Sequence, residues 1–201
     1  MAKLVASSDI SNNKGEKFFI DKAVEYLDDN IVIYWNKIVL GREFDVCILV
    51  PNVGIIIVEV KDWNEDTIKD IKNSDTFIIK TNSGDEEQRP QKQCRGYRFA
   101  MSNLIRQSLK ITPRICSMVA FPRITEEAYN RRRMDVVTER LTTFLKEDFS
   151  SKLSFQKKIN DAFANSVSAN CNFSRKEMSM VRQMFEADFA ENIDYTEKKR
   201  Y

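Results

Sequence analysis

The chain has 201 residues, with 32 Lys and Arg set against 30 Asp and Glu and with 42% hydrophobic residues. That is enough chain for one well-buried core, and the near-balance of charge gives no bulk reason to bind nucleic acid or a membrane, so any basic surface must come from local clustering. Histidine is absent, which excludes Ser-His-Asp and Cys-His catalysis and histidine-held zinc or iron.

No apolar run approaches the roughly 20 residues of a membrane span, and the N-terminus lacks the apolar centre of a signal peptide. The expectation is an intracellular, cytoplasmic protein without a membrane partner. Cys47, Cys94, Cys116 and Cys171 form no C-x-x-C pair and read as reduced, buried thiols. A metal in such a chain would be held by carboxylates, and hard oxygen ligands favour Mg²⁺ or Mn²⁺.

Residues 1–11 read as polar and frayed. From about 12 to 27 the pattern is helical, with Phe18, Phe19, Ala23, Tyr26 and Leu27 at three-to-four spacing. Ser11, Asn12 or Asn13 can cap this helix, and Glu16 in its first turn suits the helix dipole. Ile31–Lys37 reads as a strand, Gly41-Arg42 as a turn and Glu43–Val50 as a second strand. After a tight turn at Pro51–Gly54 comes Gly-Ile-Ile-Ile-Val-Glu-Val-Lys-Asp-Trp, residues 54–63. The apolar run suits a strand buried on both faces.

Strand side chains alternate, so Glu59 and Lys61 share a face with Ile55 and Ile57. Burying a charge costs several kcal/mol or more unless it is paired or binds a metal. Either this is a solvated strand-end ion pair, or the two residues belong to a site. The hairpin register decides whether Asp45 joins them. A two-residue loop at 52–53 turns Asp45 away from Glu59. A three-residue loop, Asn52–Gly54, sets Asp45 opposite Lys61 and Cys47 opposite Glu59, with Gly54 in a left-handed position; this register is expected.

Asp62–Gln88 reads as polar and irregular apart from a short strand at Thr76–Lys80, and Asp85-Glu86-Glu87 as a solvated acid cluster. Pro90 opens a helix to about Leu109. Gln93, Tyr97, Ala100, Met101, Leu104 and Ser108 make its core stripe, and Lys92, Arg95, Arg106 and Lys110 its outer face, either solvated or in contact with phosphate. Ile115–Phe121 is another apolar strand. Arg131-Arg132-Arg133 then leads into helices expected at about 134–148, 154–164 and 174–190, the last opened by the capping-box spacing Ser174-x-x-Glu177.

The order is therefore helix with Glu16, strand, strand with Asp45, strand with Glu59-x-Lys61, helix with Gln93 and Tyr97, strand. An acid followed by E-x-K on the next strand resembles the PD-(D/E)xK nuclease superfamily. Gly15-Glu16, Glu43-Phe44-Asp45, Ile-Val-Glu-Val-Lys-Asp-Trp and Pro90-x-x-Gln93 narrow the resemblance to the nuclease-related domain (NERD) family, over about residues 14–121. The sequence departs from the family pattern at Phe44, at Arg89 and after Trp63. The resemblance implies an α/β restriction-endonuclease-like core (αβββαβ, a mixed sheet flanked by helices) over 1–124, with a helical extension over 125–201.

It also implies Mg²⁺-dependent hydrolysis of DNA, single- or double-stranded. Asp45, Glu59 and the Val60 carbonyl would hold Mg²⁺ or Mn²⁺, with Glu16 completing the set, and Lys61 would orient or deprotonate water. Gln93 and Tyr97 would reach the lysine or a phosphate, and Lys92, Arg95, Arg131, Arg132 and Arg133 are candidate backbone clamps. Such domains often accompany a helicase or ATPase module, in cis or in trans, in DNA repair or defence against foreign DNA. The chain has no Gly-rich Lys-Ser/Thr phosphate loop and would not itself be that motor. The competing expectation is a catalytically silent module of the same fold that binds DNA or a protein partner.

Overall fold

The computed structural model describes residues 1–6, 13–39, 42–164 and 173–197. The candidate caps Ser11 and Asn12, Gly41 of the expected turn, Cys171 and the tail beyond 197 lie outside the described residues. In chain order the elements are β1 (Lys3–Ala6), α1 (Lys14–Tyr26), β2 (Val32–Val39), β3 (Arg42–Val50), β4 (Gly54–Val60), β5 (Ile68–Asn73), β6 (Thr76–Thr81) and β7 (Gly84–Gln88). They continue with α2 (Pro90–Leu109), β8 (Ile115–Ala120), α3 (Glu126–Arg131), β9 (Thr143–Phe144), α4 (Lys152–Ala164) and α5 (Arg175–Glu197).

A six-stranded mixed sheet runs in the order β1-β2-β3-β4-β8-β9. The β2–β3 and β3–β4 pairs are antiparallel, and the β1–β2, β4–β8 and β8–β9 pairs are parallel. Every residue of β4 is buried, which is why its sequence is an unbroken apolar run. On one face Ile56, Val58 and Val60 meet Phe19, Ile20 and Ala23 of α1 and Phe155, Ile159 and Phe163 of α4. On the other, Ile55 and Ile57 meet Cys94, Met101 and Ile105 of α2 and Val181 and Phe185 of α5. This is the expected αβββαβ core, a sheet flanked by helices.

Four local expectations are corrected. The N-terminus is not frayed: Lys3–Ala6 pairs with β2, and Lys3 N–H donates to the Ile31 carbonyl at 2.9 Å. Residues 62–88 are not irregular, because β5, β6 and β7 form a separate three-stranded sheet. Lys69–Asp85 and Lys72–Glu87 ion pairs cross it, and its buried side packs Phe77 against Trp63 and Phe121 at ring separations of 5.7 and 6.1 Å. The helix expected over 134–148 is replaced by 3-10 turns at Met134–Val136, Arg140–Thr142 and Lys146–Phe149, with β9 between the last two. Val136, Val137, Thr138, Thr142 and Thr143 are β-branched and resist helix, and Thr143 instead pairs with Val119 and is fully buried. The buried stripe of α2 is Cys94, Met101 and Ile105, while Ser108 is exposed.

Across residue 124, where the helical extension was expected to begin, the same core continues. Phe144 of β9, Phe149 and Phe155 of α4 surround Phe19 of α1, with ring centroids 5.3, 5.7 and 5.7 Å away. The capping box at Ser174 forms as read, with Glu177 N–H donating to Ser174 Oγ at 3.2 Å and Ser174 N–H to Glu177 Oε2 at 2.8 Å. Cys47, Cys94 and Cys116 are buried thiols outside any disulfide. Among the described residues no helix is long and apolar enough to cross a membrane.

Candidate active site

The β3–β4 turn has three residues, as expected, but they are Pro51–Val53 and not Asn52–Gly54. Val50 pairs with Gly54, Cys47 with Ile57 and Val46 with Val58. Asn52 takes the left-handed conformation (φ 63°). Gly54 has a φ of 156°, which itself favours glycine, and a Cβ there would in addition overlap the Arg114 carbonyl oxygen and stand 2.9 Å from the Phe163 ring. One further step of the register sets Asp45 opposite Glu59, so the two acids share a side, while the Asp45–Lys61 and Cys47–Glu59 pairings do not occur.

The paired ladder ends at Val46–Val58. Beyond it, the Val60 N–H donates to the Asp45 carboxylate at 2.7 Å. A side chain thus replaces a backbone acceptor and fixes Asp45 beside the end of β4. Glu59 is 1% exposed, and its Oε1 lies 2.6 Å from Lys61 Nζ. Its other oxygen, Oε2, is buried with no hydrogen-bond partner. Burial pushes the Asp45 carboxyl up to about 7, aided by the negative charge of Glu59 and opposed by the Val60 N–H. Burial also raises Glu59, and the Lys61 ammonium opposes that rise.

Glu16 arrives from α1. Asn13 caps that helix, accepting from Gly15 N–H at 3.0 Å and Glu16 N–H at 3.4 Å. Gly15 lies so close to Asp62 that a Cβ would sit 2.7 Å from the Asp62 Cβ, and this close approach brings the first turn of α1 to the end of β4. The buried Glu16 carboxylate accepts the Trp35 indole N–H at 3.2 Å. Asp62 pairs with Arg123 at 2.8 Å. Glu16, Asp45, Val60 and Lys61 line a cleft of about 310 Å³, walled by Trp63 and by Ile79 and Gln88 of the small sheet.

The other residues singled out in the sequence fall elsewhere. Gln93 donates to the Tyr97 hydroxyl at 2.7 Å and not toward Lys61. The Tyr97 ring packs edge-on against Phe44 at 5.0 Å. Burial raises the Tyr97 hydroxyl, Gln93 opposes this, and the Glu59 and Asp45 charges add to it. Gln93 and Tyr97 therefore stand behind the carboxylates on the α2 side. Lys92 pairs with Asp75 at 3.7 Å and Arg95 with Glu139 at 2.6 Å. Arg131 pairs with Glu65 at 2.7 Å and Glu127 at 2.6 Å, and Arg132 with Glu65 at 3.3 Å. Arg133 is exposed in a left-handed turn. None of these cations lines the cleft.

The residues present fit a divalent ion in one respect: the orphaned Glu59 Oε2 is a buried anionic oxygen in want of a partner. Among the described residues no three Asp, Glu or Cys side chains close on one point, so Asp45 and Glu59 would need a backbone carbonyl such as that of Val60 to complete a set. Sequence reading missed Trp35, Asp62 and Gln88. Asp62 could have been found from its place directly after the E-x-K, whereas Trp35 gives no local signal.

Among solved structures, the crystal structure of a repair endonuclease from Pyrococcus abyssi is similar at a TM-score of 0.34 and 12% identity, over 69% of this chain and 48% of that one. The chain spans about half the length of that protein. No curated protein matches. The model of the nuclease-related domain matches residues 11–122, more than half of the sequence, and the chain belongs to the nuclease-related domain family.

Proposed function

We propose that the protein is a nuclease that hydrolyses DNA phosphodiester bonds with Mg²⁺ or Mn²⁺. The observation that carries this reading is the end of β4, where buried Glu59 gives one oxygen to Lys61 and leaves the other unpartnered beside Asp45. Family membership supports it. Asp45, Glu59 and the Val60 carbonyl would hold the ion, with Glu16 alongside. When bound, the ion would supply positive charge next to the scissile phosphate.

The chain's own groups do the rest. Val60 N–H holds Asp45 in place. Lys61 offsets the carboxylate charge, and its ammonium can orient an attacking water or give up a proton to become its base. Trp63 and the small sheet narrow the approach to the cleft. Gln93 and Tyr97 back the carboxylates from α2. Lys92, Arg95, Arg131, Arg132 and Arg133 would contact the DNA backbone only by leaving their present partners where they have them. A helicase or ATPase module, in cis or in trans, and a role in DNA repair or defence are part of the same proposal.

The test is incubation of linear, circular and single-stranded DNA with Mg²⁺ or Mn²⁺. Wild type should cut, and Asp45→Asn, Glu59→Gln and Lys61→Ala should each lose at least a hundredfold. Equal cutting by all four proteins would mean a contaminant. The lack of a three-carboxylate cluster among the described residues favours one other reading, a silent binding module, and salt-sensitive DNA binding without cleavage would establish it.

A further inference from the structure

We infer that Trp35 is a positioning residue, whose indole N–H fixes the Glu16 carboxylate at the cleft without cancelling its charge. The inference rests on the nuclease reading above and deepens it. Trp35 lies on β2 opposite Val46, the neighbour of Asp45. Trp35 and Glu16 are 6% and 7% exposed, and the 3.2 Å bond from Nε1 to Oε2 joins them. It is the only hydrogen bond to that carboxylate among the described residues.

Two features set this contact apart from ordinary helix capping. First, a Glu at the third helical position commonly folds back onto the N–H of the cap residue. Glu16 instead crosses to another element, and Asn13 serves the first-turn amides of Gly15 and Glu16. Second, the partner is a neutral donor. An indole offers one N–H and no charge, whereas a guanidinium would make an ion pair and remove the negative charge from the cleft.

A buried charge is ordinarily either paired or bound to a metal. Here Lys61 pairs with Glu59, Glu16 and Asp45 line the same cleft, and the Glu16 charge acts on both other acids. The indole N–H holds the Glu16 carboxylate in a fixed place at the cleft with a neutral donor, which is what a cation-holding cleft needs. A hydrogen-bond partner behind a ligand typically governs affinity by ten- to a hundredfold.

The test uses the full chain and counts free Mn²⁺ by electron paramagnetic resonance, independently of cleavage. Trp35→Phe keeps an aromatic ring and deletes the donor. It should loosen Mn²⁺ about tenfold in the wild-type background and not at all in a Glu16→Gln background. Equal loosening in both backgrounds, or none in either, overturns the inference while leaving the nuclease reading intact. A wild type that binds no Mn²⁺ and cuts no DNA overturns both. Should Trp35→Phe fail to fold, the two tryptophans give two indole N–H cross-peaks in wild type. Added Mg²⁺ should move the Trp35 peak, and Glu16→Gln should abolish that movement. A Trp35 peak that stays still with Mg²⁺ bound overturns the inference.

Discussion

At the scale of single residues, the approach of Gly15 to Asp62 makes a sharp prediction. A Cβ on Gly15 would stand 2.7 Å from the Asp62 Cβ and 3.0 Å from its Oδ1, so Gly15→Ala must push α1 away from the end of β4. The better helix propensity of Ala returns about 0.5–1 kcal/mol. Overpacking of this kind costs about 1–3 kcal/mol, so a net loss of up to about 2 kcal/mol is expected while Glu16 is displaced. A shift near 1 Å can cost about a hundredfold in rate, so cleavage measured where the variant stays fully folded should fall tenfold or more, beyond what its modest loss of melting temperature accounts for. Parallel losses of both would place the effect in the fold. At this scale the sequence was legible where chemistry and strand alternation coincide. Glu59 and Lys61 drew notice because they break an apolar run, and Asp45 because an odd hairpin register puts it on their face, whereas Glu16 fits its helix pattern and entered only through the family resemblance. Trp35 was not found, since its role comes from a partner on another element, and Gln93 was aimed at Lys61 although it bonds within its own helix to Tyr97.

At the scale of elements, α4 docks with a lysine inside the core. Lys158 is 6% exposed, and its ammonium donates to the Arg140 carbonyl. Burial lowers it from 10.5 to about 8, with the Arg140 charge adding and Asp148, Glu126 and Asp161 opposing. The unfolded chain then binds more protons than the folded one between about pH 8 and 10.5, so this group makes stability rise with pH across that window. Below it, the charged lysine weakens the fold by at most about 3 kcal/mol. Lys158→Met should stabilise by about 1–3 kcal/mol at pH 7, and its advantage should shrink by pH 10, as read by urea unfolding at the two values. An advantage that grows with pH would sink this account. Long elements with one dominant face were legible: α2 begins and ends where Pro90 and Leu109 suggested. The small sheet was not, because the charges of β5 and β7 look like loop residues until Lys69 meets Asp85 and Lys72 meets Glu87 across it. β9 was hidden by its length, two residues being too few to show a period.

For the whole molecule, the family match ends at residue 122, but the folded unit does not. Phe173, Met178, Val181 and Phe185 cover the sheet face that carries Tyr34, Cys47 and Leu49. The Phe173 carbonyl accepts the Asn52 N–H at 2.7 Å, and Tyr34 donates to Glu186 at 3.0 Å. Burying four such side chains stabilises by roughly 6–12 kcal/mol, comparable to the entire stability of a typical domain, about 5–15 kcal/mol. A chain cut after residue 172 should lose its near-ultraviolet circular dichroism and bind an apolar dye, while one cut after 186 should keep a native spectrum. A native spectrum from the shorter chain would show that α5 is dispensable. The sequence suggested a helical appendage here because amphipathic helices at the end of a chain do not reveal what they cover.

The turn at Pro51–Val53 acts as a counting device. Residues 46–49 and 55–58 are apolar without alternation, so the core would accept β4 displaced by one position almost as readily as the observed pairing. What forbids the slip is the turn itself, pinned by Asn52 to the Phe173 carbonyl and by Ile55 N–H to the Arg114 carbonyl at 2.8 Å. The parity of the loop, and not the oiliness of the strands, decides whether Asp45 and Glu59 meet. Inserting one residue there should leave a folded but inert protein, whereas inserting two preserves the meeting of the acids.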